Sequence, residues 1–175
     1  MTRRLIFLLL FLSACRAVPP GPGGEPSVQI TFVQFNDHYV LEPIQEGERG
    51  GMARIATLVK QIRAESRHTL LALAGDTLSP SIMSTLLRGE QMVAAWNLLG
   101  LDVATFGNHE FDFGPAVLLE RMRESRFVWL SANVLDRRRG RPFGPAVDRL
   151  VRKLGGIRVG LTGLTMPETR ETSSP

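Results

Sequence analysis

The run Gly107-Asn108-His109-Glu110-Phe111-Asp112 packs an amide, an imidazole and carboxylates into one short segment, directly behind the apolar stretch Val103-Ala104-Thr105-Phe106. Two more acidic motifs repeat the arrangement: Asn36-Asp37 follows Val28 to Phe35, and Gly75-Asp76 follows Thr69 to Ala74. Three strands that each deliver such groups at their carboxyl ends would gather hard oxygen and nitrogen donors at one edge of a sheet, which is a metal site in outline. Asp is also a common turn and helix-cap residue, so Asp37 or Asp76 alone carries little weight. The signal is the set of three in order, each behind a strand.

The elements that must position these motifs are legible from periodicity. Gly50-Gly51 opens a helical pattern from Met52 to Glu65, with Ile55, Leu58, Val59 and Ile62 at spacings of three and four. A strand runs to Ala74. A second helix covers Gly89 to Leu99, with Met92, Ala95, Trp96 and Leu99 on one side, and Asp102 to Phe106 is the next strand. Pro115 fits the first turn of a third helix that reaches Arg123. Phe127 to Leu130 is a further strand, closed by Ser131-Ala132-Asn133, and Val147 to Leu154 and Ile157 to Leu161 read as two strands around Gly155-Gly156. Strands alternating with helices predict an α/β layered sheet, parallel in its first half, with flanking helices. Ligands of such sheets bind beyond the carboxyl ends of the strands, where all three motifs lie.

Residues 1–14 read as an address. Arg3 and Arg4 precede the apolar run Leu5 to Leu12, and Leu12-Ser13-Ala14-Cys15 has the form of a lipobox ending a bacterial lipoprotein signal peptide. The apolar run is shorter than the about 20 residues a membrane-spanning helix needs. Lipid modification of Cys15 is therefore expected, with anchorage to a membrane and export to the periplasm or cell surface. A chance cysteine in an ordinary secretory signal is the other reading. Cys15 is the only cysteine, which rules out an intramolecular disulfide. The Pro- and Gly-rich stretch within residues 15–27 is a tether, leaving residues 28–175 as one domain-sized body. The formal charge of +4 becomes +2 without Arg3 and Arg4. The basic cluster Arg137-Arg138-Arg139 and Arg141 sits beside Gly140 and Pro142 as a solvated loop, so no nucleic-acid partner is expected.

With these motifs in place, the stretch from about Val28 to Pro175 resembles the calcineurin-like metallophosphoesterases, and the Asn-His-Glu-Phe-Asp form of the third motif is similar to the 5'-nucleotidase branch. The resemblance implies a divalent-metal-dependent phosphoester hydrolase acting on nucleotides or related phosphate esters. It also implies a site with two divalent ions (Zn, Mn, Mg or Fe) roughly 3.5–4 Å apart. On that resemblance Asp37 binds the first ion, Asp76 bridges both and Asn108 binds the second. His109 and Asp112 form the catalytic pair: His109 hydrogen-bonds the phosphoryl or leaving-group oxygen, while Asp112 orients the imidazole and favours its protonated form. Glu110 is expected to be structural, and His68 to lie at the surface.

Two departures from the family pattern stand out. Where the first motif of the family places a histidine two residues after its Asp, this chain has Tyr39. The adjacent His38 is no substitute, because a one-residue step along an extended strand turns a side chain to the other face. The family also completes its site with later histidines, in Gly-His and Gly-His-any-His contexts, and its 5'-nucleotidases add a C-terminal domain that stacks the base; no histidine follows His109 here. Residues 28–175 are therefore expected to be the N-terminal part of a metallophosphoesterase domain, an incomplete sheet with too few ligands for a tight two-metal site. A non-catalytic exported half-domain and a thiosulfohydrolase-like relative are the competing readings.

Overall fold

The computed structural model describes residues 27–173; the signal segment 1–14, Cys15 and the tether up to Pro26 lie outside the described residues. In chain order the elements are β1 (Thr31–Phe35), the ribbon β2 (Pro43–Ile44) and β3 (Arg49–Gly50), α1 (Met52–Glu65), β4 (Thr69–Leu73), α2 (Ile82–Leu87), α3 (Glu90–Leu99) and β5 (Val103–Thr105). A 3-10 turn (His109–Phe111), α4 (Gly114–Glu124), β6 (Val128–Leu130), the ribbon β7 (Leu135–Asp136) and β8 (Arg141–Pro142), β9 (Arg149–Leu154), β10 (Ile157–Thr162) and α5 (Thr169–Thr172) follow.

Strands β1, β4, β5 and β6 form one sheet in that order, every neighbouring pair parallel. Each is joined to the next through a helix, as parallel pairing requires. Alternation along the strands divides the packing. Leu71, Leu73, Ala104 and Trp129 join Val59, Met92, Trp96 and Leu118 of the helices in the main core. The intervening Leu70, Val103 and Leu130 form a second cluster with Leu150, Leu154 and Leu161 of the antiparallel β9–β10 hairpin. Helices, sheet and hairpin thus stack in layers. The hairpin turns at Gly155 and Gly156, both at positive φ (56° and 89°), the conformation that a two-residue turn of this hand demands.

Helix α1 occupies the predicted range, and Val59 is buried on it while Leu58 remains exposed. Its Arg63 reaches across to the carbonyls of Leu99 and Gly100 at 2.7 and 2.6 Å, satisfying the open end of α3. Three details differ from the sequence expectation. β1 begins at Thr31 rather than Val28, because pairing with β4 starts there. Helix α2 has no counterpart in that expectation. Val147 leaves the hairpin and extends the parallel sheet instead: its amide donates to the Trp129 carbonyl at 3.0 Å, and its carbonyl accepts from the Ser131 amide at 2.9 Å.

Candidate active site

The motif loops emerge at the carboxyl ends of β1, β4 and β5, three neighbours in the parallel sheet. Asp37 and Asp76 both lie in the left-handed region, with φ of 52° and 61°. Such a conformation costs a non-glycine residue on the order of 1–3 kcal/mol and persists only where surrounding contacts enforce it. Those contacts are visible. The Asp37 amide donates to the Gly75 carbonyl at 3.2 Å, tying the first loop to the second. The His109 amide donates to Asp76 Oδ1 at 2.8 Å, tying the second to the third. Gly107 is required: a Cβ there would run into the Asp76 carboxylate, and one at Gly75 would run into the Gly107 backbone.

Glu110 locks this junction. Its carboxylate, 1 % exposed, accepts from the amides of Asp76 (2.9 Å), Thr77 (2.7 Å) and Gly107 (2.6 Å). Burial pushes its pKa up while the three amides oppose the rise. The expected structural role of Glu110 thus takes a definite form, a carboxylate clamp between the Asp76 and His109 loops. The third loop is also held by stacking, because Phe106 at its start lies 5.1 Å from the Trp129 ring and 5.6 Å from Phe111 at the end of the 3-10 turn.

That turn sets the spacing of His109 and Asp112, whose Nδ1 and Oδ2 atoms are 2.7 Å apart. Burial pulls the His109 pKa down, but the hydrogen bond and charge of Asp112, with Asp76 and Glu110 behind them, outweigh it and lift the imidazole above the usual histidine value. Asp76 is likewise raised: burial is the largest cause, the His109 amide and ring oppose it, and the charges of Asp37 and Asp112 add to it.

His38 and Tyr39 point apart, but not by continuing the alternation of β1: the strand ends at Phe35, and the left-handed turn at Asp37 brings His38 to the Trp96 side that Phe35 also faces. His38 turns into the core against Trp96, with ring centres 5.8 Å apart, its Nε2 buried without a partner and its pKa lowered by desolvation. Tyr39 turns toward the site, its ring centre 6.5 Å from that of His109. His68 is half-buried just before β4, at the opposite end of that strand from the Gly75-Asp76 loop, and its carbonyl accepts from the Thr31 amide at the start of β1. Asn108 donates its side-chain amide to the Thr172 carbonyl at 3.1 Å and accepts from Ser173 Oγ at its own carbonyl at 2.8 Å, so α5 folds over this residue. Two residues that sequence reasoning missed complete the picture. Thr77 Oγ1 donates to the His38 carbonyl and accepts from Trp96 Nε1, both at 2.7 Å. Ser79 Oγ donates to Asp112 Oδ2.

Among the described residues, no group of three or more His, Cys, Asp or Glu side chains is arranged to hold a metal ion. The donors at the sheet edge are the Asp37 and Asp76 carboxylates and the Asn108 amide oxygen. In kind they fit a hard or borderline divalent ion, and the repulsion that Asp37 exerts on Asp76 is what such a cation would relieve. In number they fall short of two tightly bound ions.

The sequence pattern of the calcineurin-like phosphoesterases matches residues 30–163. The 5'-nucleotidase of Rattus norvegicus is 37% identical over 185 residues, 97% of this chain and 31% of that protein. The snake venom 5'-nucleotidase of Gloydius brevicauda is 36% identical over 189 residues, 96% of this chain and 31% of that protein. Among solved structures, the 5'-nucleotidase precursor from Thermus thermophilus superposes with a TM-score of 0.74 at 36% identity, covering 83% of this chain and 30% of that one. The chain thus spans about three tenths of the length of these relatives. The parallel sheet, the loops at its carboxyl edge and these similarities lead to one assignment: the chain belongs to the calcineurin-like phosphoesterase family.

Proposed function

We propose that the protein hydrolyses phosphoester bonds of nucleotides or related phosphate esters, with divalent ions, outside the cytoplasm. The observation that carries this reading is the convergence of Asp37, Asp76 and Asn108 with the His109–Asp112 pair beyond three adjacent parallel strands. The names of the 5'-nucleotidase relatives support the nucleotide as substrate class. Asp37, Asp76 and the Asn108 amide oxygen would hold the ion side of the site. A divalent ion there supplies Lewis-acid polarisation of a phosphoryl oxygen and offsets the charge of the incoming phosphate.

His109 acts on the substrate side. Its Nδ1 is committed to Asp112, which leaves Nε2 for a phosphoryl or leaving-group oxygen. A protonated ring donates a hydrogen bond there as negative charge develops, and the Asp112 carboxylate favours that protonated form. Attachment to the membrane is proposed through a lipid on Cys15, on the strength of Leu12-Ser13-Ala14-Cys15. No helix among the described residues is long and apolar enough to cross a membrane.

Bound metal and phosphate release, measured together on nucleoside monophosphates, test the roles. Asp76→Asn should empty the site of metal and abolish turnover. His109→Ala should spare the metal and lower turnover by about 10²–10⁴. Chelator-insensitive hydrolysis, or metal loss in His109→Ala but not in Asp76→Asn, would overturn the assignment.

A further inference from the structure

We infer that Ser79 is a positioning residue, fixing the Asp112 carboxylate so that the His109 ring is held in one orientation toward the phosphate-ester site. Ser79 lies three residues beyond Asp76 in the loop between β4 and α2 and is 3 % exposed. A hydroxyl has one hydrogen to give. Of the two acceptors in reach, the His109 carbonyl stands at 3.4 Å, the long limit of a hydrogen bond, whereas Asp112 Oδ2 is in close contact. The hydrogen therefore goes to the carboxylate. The same oxygen receives the His109 ring at 2.7 Å, so donors from two different loops converge on one atom.

The consequence is geometric. The Cβ–Cγ torsion of an aspartate is broad and roughly two-fold, so a carboxylate that lacks the hydroxyl on this oxygen is freer to exchange its oxygens and let the ring swing. A hydroxyl fixed in the opposite loop removes that freedom. The β4 loop then grips the His109 segment at the main chain through Asp76 Oδ1, at Glu110 through the Asp76 and Thr77 amides, and at the ring through Ser79 and Asp112. A nucleophilic role does not fit Ser79, since its hydroxyl is buried and its hydrogen faces a carboxylate already engaged by His109.

The kinetic part of this inference rests on the proposed hydrolase reading; the spectroscopic part does not. In proton–nitrogen spectra of the full chain, His109 is one of only three histidines, and its Nδ1–H should give a downfield proton protected from exchange by Asp112. Ser79→Ala should broaden or abolish that proton with the His38 and His68 signals unmoved, while Ser79→Thr, which keeps the hydroxyl, should retain it. On a nucleoside monophosphate, Ser79→Ala should lower kcat about tenfold with KM unchanged, a smaller loss than the about 10²–10⁴ for removing the imidazole. If Ala disturbs all three histidines, Ser79→Cys, close in volume but a weak donor, decides by the same proton. A proton as sharp and protected in the Ala or Cys variant as in the parent, or one lost equally in the Thr variant, overturns the inference. Loss of the proton in a protein that hydrolyses no phosphate ester would keep the role of Ser79 and remove the proposed function; an unchanged proton with intact hydrolysis would do the reverse.

Discussion

The two halves of the site are built to different standards. The half carrying Asp76 and His109 is closed around a buried carboxylate with three amides on it, and two glycine contacts leave no room for adjustment. The half carrying Asp37 and Tyr39 is held by the Asp37 amide on the Gly75 carbonyl at 3.2 Å and by Thr77 on the His38 carbonyl, and Asp37 itself is exposed, its carboxylate accepting from the neighbouring Asn36 amide. The contrast teaches which loop the packing fixes in advance. Tyr39 falls in the half that packing constrains least.

The largest expected effect comes from removing the clamp. Glu110→Ala leaves three amides without an acceptor, one on buried Thr77 and two on half-buried Asp76 and Gly107, where a buried group costs about 1–3 kcal/mol. The chain should lose about 3 kcal/mol or more of stability in denaturant titration. Hydrogen exchange at the amides of Asp76, Thr77 and Gly107 should quicken well beyond that of Asp37. Equal acceleration in both loops would show that the two halves are not held differently.

Thr77 is where the halves are joined, and its removal should have an intermediate effect. Thr77→Val keeps the shape but deprives Trp96 Nε1 of its acceptor and the His38 carbonyl of its donor. One buried indole N–H left unpaired predicts a loss of about 1–3 kcal/mol. The change should also free the Asp37 loop, seen as faster exchange of its amide while the Glu110-bound amides stay protected. Protection lost in both places at once would mean that Thr77 supports the whole edge and not the link alone.

Much of this edge was legible in the sequence because it rests on local rules. Helices α1, α3 and α4 announce themselves by apolar spacing and by Pro115 at a first turn, and the three motif loops follow strands that alternation and β-propensity make plain. That His38 and Tyr39 point apart was legible, but which of them faces the core was not: alternation from Phe35 would send Tyr39 inward, and the left-handed turn at Asp37 puts His38 there instead. Helix α2 escaped because it is only six residues long: Ile82 and Leu86 recur at a spacing of four and Ser81 caps its start, but too few turns follow to establish a period. Thr77 and Ser79 escaped notice for another reason. Their partners, Trp96 and Asp112, are 19 and 33 residues away, and a Ser or Thr beside an acidic motif carries no mark of a distant acceptor. The move of Val147 from the hairpin to the edge of β6 is likewise a tertiary choice between two apolar environments.

The smallest expected effect tests the looser half directly. Tyr39 points toward His109, so a histidine at this position would present an imidazole beside that ring. Imidazole is a better ligand for zinc, manganese or iron than a neutral phenol. Against that gain stands the cost of ordering a loop whose present restraints are few, because binding at a site that is not preformed draws on folding free energy. Tyr39→His should therefore raise divalent-ion affinity by less than about tenfold, under about 1.4 kcal/mol. Calorimetric titration of parent and variant with manganese or zinc reads the difference. A gain of several orders of magnitude would mean that the Asp37 loop is already as rigid as the Glu110-clamped half, and no gain at all would mean that the side chain after His38 does not face the ion.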